Sequence, residues 1–222
     1  MTTTTTLTLP LAALLAGRVE DDTARASGGP APAAATDEAL LQRCAGGDTD
    51  AFTALYRRYE RPVFGVLLRL AGQRALAEEW LQEAFTRVWL AAGTHDPARG
   101  AVRPWIYAIA VNTARTELSR RRARTPHVSI EETGLELLDG AAGEHPLLTG
   151  LDGRRQAELV AQALHTLPGY LREVVVLRCS RELSFAEIAA VTGAPPGTLK
   201  SRFHRAVIAL RARVRRAQGI GR

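Results

Sequence analysis

The sequence predicts an all-α protein made of two small helical domains joined by a flexible linker, the C-terminal one a helix-turn-helix. Three observations carry this. Apolar residues recur at three- and four-residue spacing through long stretches on both sides of the chain's middle. Val and Ile are scattered instead of grouped into strand-like runs, in a background rich in Ala, Leu and Arg with only 5% aromatic residues. A central segment rich in Gly, Pro and acids interrupts the periodicity. At 222 residues, each half is long enough to bury a core of its own.

The first 36 residues open on a Thr run, pass through a short apolar patch containing Pro10, and continue as Gly-, Pro- and Ala-rich sequence. This composition has little to bury and is expected to be a disordered extension; alternatively translation begins downstream, at Val19 for instance. The patch lacks a basic leader and is too short to span a bilayer, so no membrane insertion is expected and the cytoplasm is the default location.

The first domain is expected over residues 37–124. Thr36 is an N-cap followed by Asp37 and Glu38; Leu40, Leu41 and Cys44 form the apolar face, and Gly46-Gly47-Asp48 ends the helix. A second helix starts near Asp50 with Phe52, Leu55, Tyr56 and Tyr59 on one face. Pro62 marks a restart, after which Val63 to Leu70 continue the pattern. A third helix covers Ala75 to about Ala92, and Gly93 to Gly100 is a loop of breakers. A fourth runs from about Val102 to Arg124 and ends in Arg120, Arg121, Arg122 and Arg124.

Residues 125–155 carry Pro126, Pro146, several glycines and an acidic excess (Glu131, Glu132, Glu136, Asp139, Glu144 and Asp152), the composition of a linker. The second domain, 156–216, begins with a helix ending before Leu167-Pro168-Gly169 and closes with three more, leaving a tail at 217–222.

Leu183 to Val214 has the layout of a helix-turn-helix. Ser184 is an N-cap with Glu187 at the capping-box position, Gly193 suits the turn, and Pro196 can start the second helix. At 100° per residue, Leu199, Phe203, Ala206 and Leu210 form one stripe toward the core. Ser201, His204 and Arg205 lie opposite, Lys200 and Arg202 on the flanks, and Thr198 in the first turn. A recognition helix uses such N-terminal exposed residues on base edges and its flanking cations on phosphates. The plain alternative is a solvated face. Against it, the segment carries five Lys or Arg residues beside one carboxylate, whereas a merely soluble helix interleaves both signs. The net charge of +6 agrees with a polyanionic partner without identifying it.

No nucleophile, acid–base pair or metal constellation stands out, so no catalytic residue, metal or cofactor is expected. Cys44 and Cys179 form no CxxC pair and are expected to be small core residues.

A helix-turn-helix fits many regulators; the N-terminal half narrows the field. AEEWLQEAFTRVW (Ala77 to Trp89) followed by VRPWIYAIAVNTARTELSRRRAR (Val102 to Arg124) resembles the second conserved region of extracytoplasmic-function (ECF) sigma factors. LPGYLREVVVLRCSRELSFAEIAAVTGAPPGTLKSRFHRA resembles their fourth region, in the expected order. The resemblance covers about Asp37 to Val214 and implies a subunit that binds RNA polymerase core and directs promoter-specific initiation. It implies that Glu79, Gln82 and Glu83 meet the β′ clamp helices, with the β flap as a further contact. It implies that the loop Gly93 to Ala101 and the helix after it capture the melted −10 strand, through Arg99, Arg103, Asn112, Thr113, Arg115 and Arg120. The C-terminal helix would read the −35 duplex through Thr198, Lys200, Ser201, Arg202, His204 and Arg205. Trp105 is expected in the core and not as a base-stacking wedge. An anti-sigma factor is the implied regulatory partner, and the acidic linker would thread toward the RNA exit path.

The sequence departs from the family pattern at Glu79 (usually Asp), Trp80 (usually aliphatic), Val111 (commonly Arg) and Thr116 (commonly Asp). Trp80 is expected either to touch the partner or to extend the core. Two rival readings are a conventional helix-turn-helix regulator and a carboxylate metalloenzyme using Glu78, Glu79, Glu83 and His95. The first would carry an alternating βα receiver, and the second a Glu-x-x-His motif; neither pattern is seen.

Overall fold

The computed structural model describes residues 35–124, 159–181 and 183–217. The expected extension and acidic linker fall almost wholly outside these residues. Among the described residues there is no strand, as the sequence predicts.

The N-terminal unit contains α1 (Asp37–Ala45), α2 (Thr49–Ala71), α3 (Arg74–Ala91) and α4 (Val102–Arg124). The first two starts have a local cause. The Thr36 hydroxyl accepts the Ala39 amide at 3.2 Å, and Asp48 accepts the amides of Asp50 and Ala51 at 2.9 and 3.0 Å. The Arg43 side chain also donates to Asp48, which ties the end of α1 to the start of α2. Gly72 ends α2 in the left-handed region (φ 76°), its amide donating to the Leu68 carbonyl at 2.8 Å.

α2 corrects one expectation: it passes through Pro62 without a restart. Proline deletes one ladder hydrogen bond and crowds the preceding turn. Here Leu55, Tyr59, Val63, Val66, Leu67 and Leu70 are all buried, so packing holds both sides of the proline in one continuous helix. The core between these helices is aromatic, with Phe52 and Trp89 at 5.1 Å, and Tyr56 and Phe85 at 4.7 Å, all edge-on. Trp80 is fully buried, which decides its role in favour of the core.

The C-terminal unit starts with α5 (residues 159–165) and continues with α6 (Gly169–Arg181), α7 (Phe185–Thr192) and α8 (Pro196–Ala217). α6 supplies Leu171, Val174, Val175, Val176 and Leu177 to its core. The two units share one continuous apolar core: α6 packs on α2, and α7 packs on α4. The cysteines part company. Cys44 is buried, and burial lifts its thiol to about 11. Cys179 is exposed, against the expectation of a core thiol.

Candidate nucleic-acid interface

α7 and α8 form the helix-turn-helix. The Ser184 hydroxyl accepts the Glu187 amide at 3.1 Å, and the Glu187 carboxylate accepts the Ser184 amide at 2.7 Å, a complete capping box. Gly193 turns the chain in the left-handed region (φ 73°), its amide donating to the Ala189 carbonyl at 2.8 Å. Ile188 and Val191 face Leu199 and Ala206, all buried, and Phe185 meets Phe203 edge-on at 5.9 Å. That packing fixes the rotation of α8.

The consequence is the exposed face. Thr198, Lys200, Ser201, His204 and Arg205 are exposed near the N-terminus of α8, with Ser201 donating to the Gly197 carbonyl at 3.1 Å. Arg202 is half-buried, its guanidinium 5.4 Å over the Tyr170 ring. Tyr170, at the second position of α6, is a neighbour the sequence analysis missed. The first two turns of α8 carry no acid. This is a cationic, hydrogen-bonding ridge of the width a major groove admits.

A second surface surrounds α4. The loop before it holds two short 3₁₀ turns, Ala92–Thr94 and Pro97–Arg99, the second capped by Asp96 through the Ala98 amide at 2.9 Å. Loop and helix enclose a recess of about 180 Å³ lined by His95, Arg99, Pro104 and Trp105, with Ala190 of α7 on its rim. Trp105 is partly buried and meets His95 edge-on at 5.3 Å, so it packs on the core while showing one side to the recess.

The −10 candidates do not all share this surface. Arg99 is exposed, and Arg103 lies 4.0 Å from Glu187. Asn112 is exposed and accepts from Arg115 at 3.1 Å. Arg115 also donates twice to Glu173, at 2.9 and 2.5 Å. Arg120 pairs with Glu117 at 2.6 Å. Thr113 is fully buried and donates to the Ile109 carbonyl at 2.9 Å, so it faces the core and not solvent. Of the departures, Val111 is fully buried, where an arginine would have no water, and Thr116 donates to the Asn112 carbonyl.

On α3, Leu81, Phe85 and Val88 are buried, as their spacing predicts. Glu79 and Gln82 are exposed on the far side; Glu83 accepts from Arg87 at 2.8 Å, and Glu79 lies 3.8 Å from Arg121. Between α2 and α3 runs a groove of about 330 Å³ bordered by Tyr56, Glu60, Phe64, Leu81 and Gln82. Tyr56 and Phe64 were read only as apolar positions in the sequence. Among the described residues no group of three or more His, Cys, Asp or Glu could hold a metal, and no helix is long and apolar enough to cross a membrane.

Comparison with known proteins agrees with this architecture. Sigma-70 region 2 matches residues 55–124, and Sigma-70 region 4 matches residues 157–210. The RNA polymerase sigma-H factor of Pseudomonas aeruginosa is 32% identical over 177 residues, covering 77% of this chain and 89% of that protein. The ECF RNA polymerase sigma-E factor of Escherichia coli K12 is 32% identical over 180 residues, covering 77% and 90%. Among solved structures, CnrH in complex with the cytosolic domain of CnrY matches with a TM-score of 0.57 at 26% identity, covering 79% of this chain and 95% of that one. With region 2 and region 4 in order, and relatives matched along nearly their whole length, the chain belongs to the ECF family of RNA polymerase sigma factors.

Proposed function

We propose that this sigma factor divides promoter recognition between its two units. The exposed face of α8 reads the −35 element as duplex, with Arg205, Ser201 and His204 toward base edges and Lys200 and Arg202 toward phosphates. The recess beside α4, with Arg99, Arg103, Asn112 and Arg115, receives the −10 strand once its bases leave the stack. Thr113 is left out because it is buried. Glu79, Gln82 and Glu83 on α3 dock on the β′ clamp helices of core polymerase, where carboxylates on one helix face pair with basic groups of a partner.

The observation that carries this reading is the acid-free, exposed ridge at the start of α8, held in orientation by the buried Leu199 and Ala206. The chain itself makes and breaks no bonds, since bond formation belongs to polymerase, and it works in the cytoplasm with the core enzyme. CnrH was solved with CnrY, and RpoE of Bartonella quintana with the anti-sigma factor NepR. An anti-sigma factor is accordingly the proposed regulator here, and the segment 125–155 the proposed linker.

The test is binding to sigma-free core followed by run-off transcription on genomic fragments, with new start sites as the expected result. Arg205→Ala should lose about 1–3 kcal/mol of discrimination at the −35 element while core binding is unchanged. Equal loss on scrambled −35 sequences would remove its base-reading role. Glu83→Arg should weaken core binding, and an unchanged affinity would overturn that assignment.

A further inference from the structure

Among the described residues three arginines lie over aromatic rings, and two of them also have a protein acceptor. Arg74 stands 5.4 Å over Phe64 and pairs with Glu78 at 2.8 Å. Arg178 stands 5.5 Å over Phe185 and donates to the Leu183 carbonyl at 3.0 Å. Arg202 differs. Its guanidinium lies 5.4 Å over the Tyr170 ring, and among the described residues it has neither a hydrogen-bond acceptor nor an ion-pair partner. A ring face attracts the charge but leaves the five N–H groups, which point outward in the plane of the fork, without an acceptor. Tyr170 is itself 49% exposed, whereas Leu171 and Val174 beside it on α6 are buried. Its ring therefore serves the surface of α8 more than the core beneath it.

We propose that Tyr170 is a positioning residue for DNA binding: its ring holds Arg202 on the flank of α8 so that the free edge of the guanidinium meets a phosphate of the −35 duplex. This rests on the −35 reading given above. Burial of Leu199 and Ala206 sets Arg202 at the side of the exposed ridge, while Ser201 and Arg205 stand on its crest. An arginine without a platform samples many rotamers and loses that freedom on binding. The stacked side chain has lost part of it already, and it offers its planar fork in one orientation. A phosphate contact carries charge and no base pattern, so it strengthens binding to any duplex and adds no discrimination. Tyr170 thus acts on affinity through Arg202, and α6 supports the ridge without entering the groove.

The full chain is titrated, by fluorescence anisotropy over a series of KCl concentrations, against a duplex carrying the −35 element of a promoter found by run-off transcription and against a scrambled duplex. Tyr170→Leu keeps an apolar side chain and removes the π face; Tyr170→Phe keeps the face and removes the hydroxyl. Tyr170→Leu should weaken binding to both duplexes about two- to fivefold, and Tyr170→Phe should bind as the parent does. Arg202→Ala should weaken both about tenfold and flatten the dependence of log K on log [salt] by about 0.9. In that background Tyr170→Leu should cost nothing more. Circular dichroism should show the parent's helix content in every variant; if Tyr170→Leu departs from it, Tyr170→Met takes its place with the same expected loss.

Parental affinity in Tyr170→Leu overturns the proposal, as does an undiminished Tyr170→Leu loss in the Arg202→Ala background. A Tyr170→Phe loss equal to that of Tyr170→Leu would assign the contact to the hydroxyl and overturn the positioning role. Losses confined to the −35 duplex would make Arg202 a base reader and overturn the phosphate assignment. A parent that binds both duplexes equally, with Arg205→Ala indistinguishable from it, sinks the −35 reading instead and leaves Tyr170 and Arg202 as a general phosphate contact.

Discussion

The contact between the two units can be tested without DNA or polymerase, at Gly72. A Cβ at this position would lie 2.8 Å from Cε1 of His165, 3.1 Å from Nδ1 and 3.3 Å from Nε2. Its φ is 76°, a conformation that also costs an L-residue about 1 kcal/mol. Gly193 supplies the control: φ is 73°, and nothing lies within 4 Å of its hypothetical Cβ. Gly193→Ala should therefore show the backbone penalty alone, about 1 kcal/mol. Gly72→Ala should add the displacement of a rigid ring from a packed contact, about 1–3 kcal/mol, for a total near 2–4 kcal/mol. Urea unfolding measures both. Trp80, Trp89 and Trp105 all lie in the N-terminal unit, so their fluorescence reports its melting, and circular dichroism reports both units. In a double-mutant cycle with His165→Ala, about 1–2 kcal/mol of the Gly72→Ala cost should disappear. A Gly72→Ala cost no larger than that of Gly193→Ala, with no coupling to His165, would refute the packing of α5 on α2.

Two further outcomes follow from local geometry. Ser184→Ala removes an acceptor from the capping box and should cost about 1 kcal/mol, whereas Ser184→Asp should retain most of it. Equal melting temperatures for the two variants would show that the cap contributes nothing. The pKa of His165 is lowered from 6.5 to about 4, first by burial and then by the charge of Arg172. Between those values the unfolded chain binds the proton and the folded chain does not, so this contribution is full above pH 6.5 and fades as pH falls toward 4. Stability measured at pH 7 and pH 5 should differ less in His165→Asn than in the parent; an identical difference would exclude His165 as the source.

The helices were legible where a local rule and the packing agree. Thr36, Ser184 and Gly193 act at the termini where their residue types predict, whereas Asp48, read as ending the first helix, caps the second. The stripe Leu199, Phe203, Ala206 and Leu210 faces inward because the helical period leaves no other side. Pro62 was misread because its local preference is to break a helix, and only the buried residues on both sides, invisible as contacts in the sequence, override it. Thr113 failed for a related reason. A short polar side chain in a basic helix looks available, yet a threonine can satisfy its hydroxyl on the carbonyl four residues back and present its methyl to the core.

The contrast between the two proposed nucleic-acid surfaces has a physical basis. The ridge proposed for the −35 element is a property of one helix, so its wheel is enough to sort Lys200, Ser201 and Arg205 from Leu199 and Ala206. The proposed −10 surface is assembled from a loop and α4, and the carboxylate that meets its Arg115, Glu173, lies 58 residues away in sequence. No periodicity connects those two positions. The charge pattern does not single out Arg172 and Glu173 on α6 either. Their burial gives them opposite employment: Arg172 gathers four backbone carbonyls, while Glu173 reaches across to the basic face of the other unit. A buried carboxylate must keep a partner, because an unpaired charge at that depth is strongly destabilising. Any ligand that takes Arg115 must therefore leave Glu173 without its partner, a cost set by the burial of that carboxylate.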